Sequence, residues 1–156
     1  MRTIAELGLV LLLATAGAVG TWKIAGPPDR SVPCDPKQIS PDEVCLATVK
    51  AEWGDVLWID ARSEADWKRD GLEGSIHITT MGQVPFDQQI EANMEAIMKG
   101  HKAVVYCNGV KCTVSKETAR QLRDFGMLPE VKALHGGYDA LNAAGMIKLR
   151  GSSPAN

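Results

Sequence analysis

The chain has 156 residues, 45% of them hydrophobic, and a formal net charge of -2. That is enough for one compact domain with its own core. Lysines and arginines are interleaved with acidic residues, so the basic patch that nucleic-acid binding needs is missing, and nucleic acid is not an expected partner.

The N-terminal segment MRTIAELGLVLLLATAGAVGTWK carries Arg2 and Glu6 and then no charge over residues 7–22. That run is short against the roughly 20 residues that span a bilayer, although Trp22 and Lys23 suit the interfacial end of a tilted span. Small-residue sites at Ala14-Thr15-Ala16 and Ala16-Gly17-Ala18 suit signal-peptidase cleavage. A cleaved signal peptide and a retained single transmembrane anchor (residues 1–24) both stay open, and the membrane is a partner only in the second case. Either one puts the remainder outside the cytoplasm, in a periplasmic or other extracytoplasmic space. A Pro- and Gly-rich tether (25–37, containing AGPPDRSVP) leads to a folded domain over 38–150, and a disordered tail (151–156) closes the chain.

Within the domain, Ser40, Pro41 and Glu43 stand as cap, first residue and third residue of a helix that should run to about Lys50. A short apolar strand over 56–59 follows, then a helix with Ser63 as cap and Gly71 as stop. GSIHI is a second strand. FDQQIEANMEAIMKG places Ile90, Met94, Ile97 and Met98 at the spacing of one buried helical face, so its methionines are expected in the core. KAVVYC reads as the most buried strand and SKETARQLRDFG as the clearest helix, with Ala119, Leu122 and Phe125 on its apolar side; VKALHGG and YDALNAAG complete a last strand and helix.

Alternation of this kind predicts an α/β fold, a parallel sheet of about five strands with helices on both faces. Such sheets carry their functional loops at the carboxyl ends of the strands. Asp60, Arg62, His77, Cys107, Cys112 and His135 all fall there, whereas His101 precedes its strand and belongs to the opposite edge.

The order of these pieces resembles the rhodanese-like sulfurtransferase domain over residues 40–146. VLWIDARSEADWKRDGLEGSIHI is similar to that family's strand, Asp-x-Arg, acidic and aromatic helix and glycine-containing segment. VVYC is similar to the strand delivering its active-site cysteine, and LHGGYDALNAAGM to its closing glycine pair and helix. The resemblance implies that Cys107 takes a sulfane sulfur from a donor such as thiosulfate, becomes a persulfide, and passes the sulfur to a thiol or other thiophilic acceptor. Local physics points the same way: a thiol at a strand tip before a glycine loop and a helix N-terminus meets converging N–H groups that favour a thiolate or an anion. The anion loop would be Asn108, Gly109, Val110, Lys111 and Thr113, with Asp60, Arg62 and His135 as support. The loop departs from the family pattern by about two extra residues and a second cysteine. Thr113 stands six residues after Cys107, where the phosphatases sharing this fold carry an arginine, so phosphoryl chemistry is a poor match.

Cys107 and Cys112 are close enough in sequence for their Cα atoms to reach the roughly 4.4–6.8 Å that a disulfide requires. Cys112 could then be a resolving thiol that attacks a Cys107 persulfide or sulfenic acid and releases sulfide or water; it could also be the primary nucleophile itself. Cys34 and Cys45, bracketing DPKQISPDEV, fit a structural disulfide of an exported domain. The histidines and loop cysteines match no metal signature, and neither metal nor cofactor is expected. Three functions compete: a persulfide sulfurtransferase, a thiol-disulfide redox protein using Cys107 and Cys112, and a non-catalytic module that binds a partner.

Overall fold

The computed structural model of the chain describes residues 31–110 and 112–148. The expected signal or anchor, the start of the tether, Lys111 and the tail lie outside the described residues. Among those described, no helix is long and apolar enough to cross a membrane.

Five parallel strands form one sheet: β1 (Glu43–Val44), β2 (Leu57–Asp60), β3 (Ile76–His77), β4 (Lys102–Tyr106) and β5 (Glu130–Leu134), in the order β1-β5-β4-β2-β3. Between them run α1 (Leu46–Thr48, continuing as a π-helical turn Val49–Trp53), α2 (Glu64–Asp70), α3 (Phe86–Ala92), α4 (Met94–Lys99) and α5 (Val114–Asp124). After β5 comes α6 (Gly137–Ala143). Alternate side chains of a strand point to opposite faces. Ala103 and Val105 of β4 therefore enter a core with Ile90, Ile97, Ala119 and Leu122, while Val104 and Tyr106 enter a second core with Val49, Ala140 and Leu141. Both faces are covered by helices, as the alternation predicts.

Three local readings need correction. Ser40 and Glu43 do not start a helix. The Ser40 N–H donates to Glu43 Oε2 at 3.3 Å and the Glu43 N–H to Ser40 O at 2.9 Å, but these bonds close a turn. Glu43 and Val44 are instead drawn into the sheet by β5, with Ala133 N–H donating to Asp42 O and His135 N–H to Val44 O; the helix begins only after Cys45. The 86–99 helix is broken at Asn93, whose φ of -111° and ψ of 11° separate α3 from α4. The break shifts the phase, so that Ile90 and Ile97 stay buried and Met98 is 70% exposed rather than in the core. Phe125 is likewise exposed at the end of α5, leaning on Phe86 at 5.8 Å between ring centroids. Ser63 caps α2 by accepting from Asp66 N–H, and Gly71 ends it.

Cys34 is joined to Cys45, with Cα atoms 5.7 Å apart, and Val32 packs against the second core. The bond closes a loop of 11 residues in sequence separation. Replacing both cysteines with serine is expected to lower the unfolding free energy by about 3 kcal/mol, read as a lower urea midpoint. A loss below about 1 kcal/mol would mean that the bond does not constrain the unfolded chain.

Candidate active site

The strand register brings the candidates together. Asp60 pairs with Tyr106 on one side and His77 on the other, so β2, β3 and β4 end in one line, and Cys107 is the next residue out. Cys107 is 1% exposed and bonded to Cys112, with Cα atoms 6.3 Å apart. Cys112 N–H donates to Gly109 O at 3.1 Å, closing the turn between the two cysteines. Asn108, Val110 and Thr113 are exposed on its outside, and Asp139 lies against Gly109, bringing a carboxylate to the loop's edge.

The helix after the loop starts one residue earlier than the sequence suggests. Thr113 is the residue before it, and Ser115 is buried in its first turn rather than opening it. Ser115 Oγ sits 3.3 Å from Cys107 Sγ. With the sulfur in a disulfide or as a thiolate only the hydroxyl has a proton to share, so Ser115 is the donor. On the other side, Tyr138 N–H donates to the carbonyl of Cys107 at 2.6 Å. Gly137 makes that approach possible, since a Cβ there would overlap the Cys107 carbonyl oxygen.

Beneath the loop lies a buried ionic network. Arg62, 2% exposed, donates from Nε and Nη2 to Asp60 (3.1 and 2.8 Å) and from Nη1 to Asp70 (2.9 Å). Its guanidinium stacks 4.3 Å from the centroid of Tyr138, the residue that holds Cys107. Asp60 and Arg62 thus support the loop from below and present no charge to its mouth. His77 is turned away from the sulfurs: its Nε2 is 2.8 Å from Arg62 O and its ring stacks on Trp67. His135 points to Glu43, 3.3 Å away, which Lys116 also reaches at 3.2 Å. It belongs to a cluster joining β1, β5 and α5. Among the described residues no three metal-ligating side chains converge.

Burial works to raise the Asp70 carboxyl, but bonds and charges from Arg62 and Arg69 outweigh it and hold it below the ordinary aspartate range. Glu43 is the same case: burial raises it, and Lys116, the Ser40 N–H and His135 bring the net shift down. Both groups bind fewer protons folded than unfolded, so their stabilisation is complete above the ordinary carboxyl pKa of about 4 and is lost as pH falls through the depressed values. Urea midpoints are expected to fall between pH 5 and pH 2. In a Glu43→Gln variant the slope should flatten, and an unchanged slope would place the proton uptake elsewhere.

Ser115, Tyr106 and Tyr138 were not among the sequence candidates. Tyr106 ends β4, accepts from Leu72 N–H at 2.9 Å, and is pushed upward in pKa by burial and by the Asp60 charge, which keeps it neutral. The serine eight residues after Cys107 was the one local hint, one that reads in sequence only as a helix start.

A family model for the rhodanese-like domain matches residues 47–144. The chain belongs to the rhodanese-like domain family. Among solved structures, a protein from Bacillus halodurans is 20% identical over 68% of this chain and 75% of its own, with a TM-score of 0.52. The rhodanese-like domain of an Anabaena sp. protein is 18% identical over 75% of this chain and 87% of its own, with a TM-score of 0.51. At these identities the likeness is one of fold. No curated protein matches the chain. In this rhodanese-like domain, the residue that follows the central strand is a cysteine already paired with a second one in the same loop.

Proposed function

We propose that the protein is an extracytoplasmic sulfurtransferase that carries sulfane sulfur as a persulfide on Cys107, between a small sulfur donor and a thiol acceptor. The observation that carries this reading is the seat of Cys107: a buried sulfur at the tip of β4, with the Ser115 hydroxyl 3.3 Å away in the first turn of an 11-residue helix. A hydroxyl donor and a helix N-terminus both stabilise a thiolate and, equally, a persulfide anion. Export is supported by the uncharged run over residues 7–22 and by the four paired cysteines, which suit an oxidising compartment.

The test uses a convenience of the sequence: trypsin cutting after Lys102 and Lys111 separates the two cysteines into peptides 103–111 and 112–116. Reduced protein treated with thiosulfate or an organic thiosulfonate should gain about 32 Da on peptide 103–111. Cys107→Ser should abolish the adduct and lower turnover by at least about 10³-fold. No adduct from any sulfane donor, or one confined to 112–116, overturns the reading.

The Cys107–Cys112 bond favours a second reading, a thiol-disulfide redox protein. Redox titration with mass spectrometry would show this pair titrating apart from Cys34–Cys45; a Cys112 that stays reduced throughout argues against it.

A further inference from the structure

The two sulfurs of the loop disulfide are not equivalent. Cys107 is 1% exposed, at the end of a strand buried from Ala103 to Tyr106, with its carbonyl held by Tyr138. Cys112 is only half-buried, and the described residues nearest it in the loop, Val110 and Thr113, are exposed. A thiolate must reach the sulfur it attacks, and the sulfur it expels leaves faster when its thiolate is stabilised. Ser115 Oγ is in place to donate to Cys107 Sγ, and Cys112 Sγ has no such donor among the described residues. Access selects Cys112 as the sulfur attacked, and stabilisation selects Cys107 as the sulfur released.

We infer that the disulfide is a lock opened by a thiol reductant at Cys112, which frees Cys107 as the thiolate. In the first step a thiolate RS⁻ forms a bond to Cys112 Sγ while the Cys112–Cys107 bond breaks, and its electron pair leaves on Cys107. A second thiol then attacks the sulfur of R in the mixed disulfide, releasing RSSR and the Cys112 thiolate. The sum is two thiols oxidised to one disulfide and one protein disulfide reduced to two thiols. The inference rests on Cys107 as the sulfur carrier, and it makes thiol reduction the reaction that must precede loading. An exported protein with this site would draw on a thiol donor of its own compartment.

Oxidised full-length protein is mixed with glutathione, quenched within seconds in excess N-ethylmaleimide, and digested with trypsin without reductant. Glutathione is expected on peptide 112–116 and maleimide on 103–111, by at least about tenfold over the reverse pattern. Equal or reversed labelling overturns the inference, as does a loop disulfide that fails to form under oxidation or ignores glutathione. The two readings fail separately. Reversed labelling alongside sulfur loading of the reduced protein removes the lock and keeps the sulfurtransferase. Correct labelling without loading does the opposite.

Discussion

Arg62→Ala is expected to lower the unfolding free energy by about 3–5 kcal/mol, because it removes one side of a buried ion pair and leaves the other desolvated. Asp60 is fully buried, and without the guanidinium its carboxylate would keep the Arg62 backbone N–H, at 2.9 Å, and the Tyr106 hydroxyl, neither of which carries a compensating charge. Asp70 would keep Arg69, whose side chain is mostly in solvent. Against the roughly 5–15 kcal/mol of a typical domain, such a loss leaves a barely folded protein, seen as a fall of roughly 2–3 M in urea midpoint. Arg62→Lys should recover only part of it: an ammonium keeps the charge but cannot make the forked contact with Asp60 or the flat stack on Tyr138. Replacing the set together (Asp60→Asn, Arg62→Met, Asp70→Asn) should cost less than Arg62→Ala alone, since no unpaired charge is left inside. A single-variant loss under about 1 kcal/mol would show that water reaches the network. Cys107 would feel the change through Tyr138, which stacks on Arg62 and donates to the Cys107 carbonyl.

What could be read from the sequence divides by the range of the interaction responsible. Ser63 and Gly71 bound α2 as expected because a cap and a stop act within a turn of the helix. The strand before Cys107 was legible because four consecutive apolar residues before a glycine loop have few alternatives. β1 is hidden from a local reading for the complementary reason. Its Ser-Pro-Asp-Glu signature is local and helical, while the strand that captures it, β5, lies some 90 residues away. The site shows the same split. Cys107, Cys112, Asp60 and Arg62 are strand-end residues, found by a geometric rule. Ser115 and the closing partner Asp70 each meet their partner across a turn of eight residues, and Tyr138 reaches Cys107 from α6; no periodicity marks any of them. The Asp-x-Arg pair was visible, but not that a third charge would bury it.

Gly137→Ala is expected to cost about 2–4 kcal/mol and, under the proposed sulfurtransferase function, to slow sulfur loading on Cys107 by roughly 100-fold. Its φ is +50°, which an alanine adopts at a cost of about 1–2 kcal/mol. The larger part is steric, since the new Cβ would overlap the Cys107 carbonyl oxygen and sit 3.2 Å from the Gly109 nitrogen. These are backbone atoms of the Cys107 loop, and no rotamer change relieves them. Relief has to come from moving α6 away from the loop, which gives up the 2.6 Å bond from Tyr138 to Cys107 and with it the position of the sulfur. Gly145 supplies the comparison: its φ is +69°, and a Cβ there meets nothing within 4 Å. Gly145→Ala should therefore pay the backbone cost alone and leave sulfur loading unchanged. If the two variants lose equal stability and equal activity, the left-handed backbone is all that selects glycine at 137. If Gly137→Ala loses far more of both, glycine is required there because α6 must touch the carbonyl of the sulfur-bearing residue.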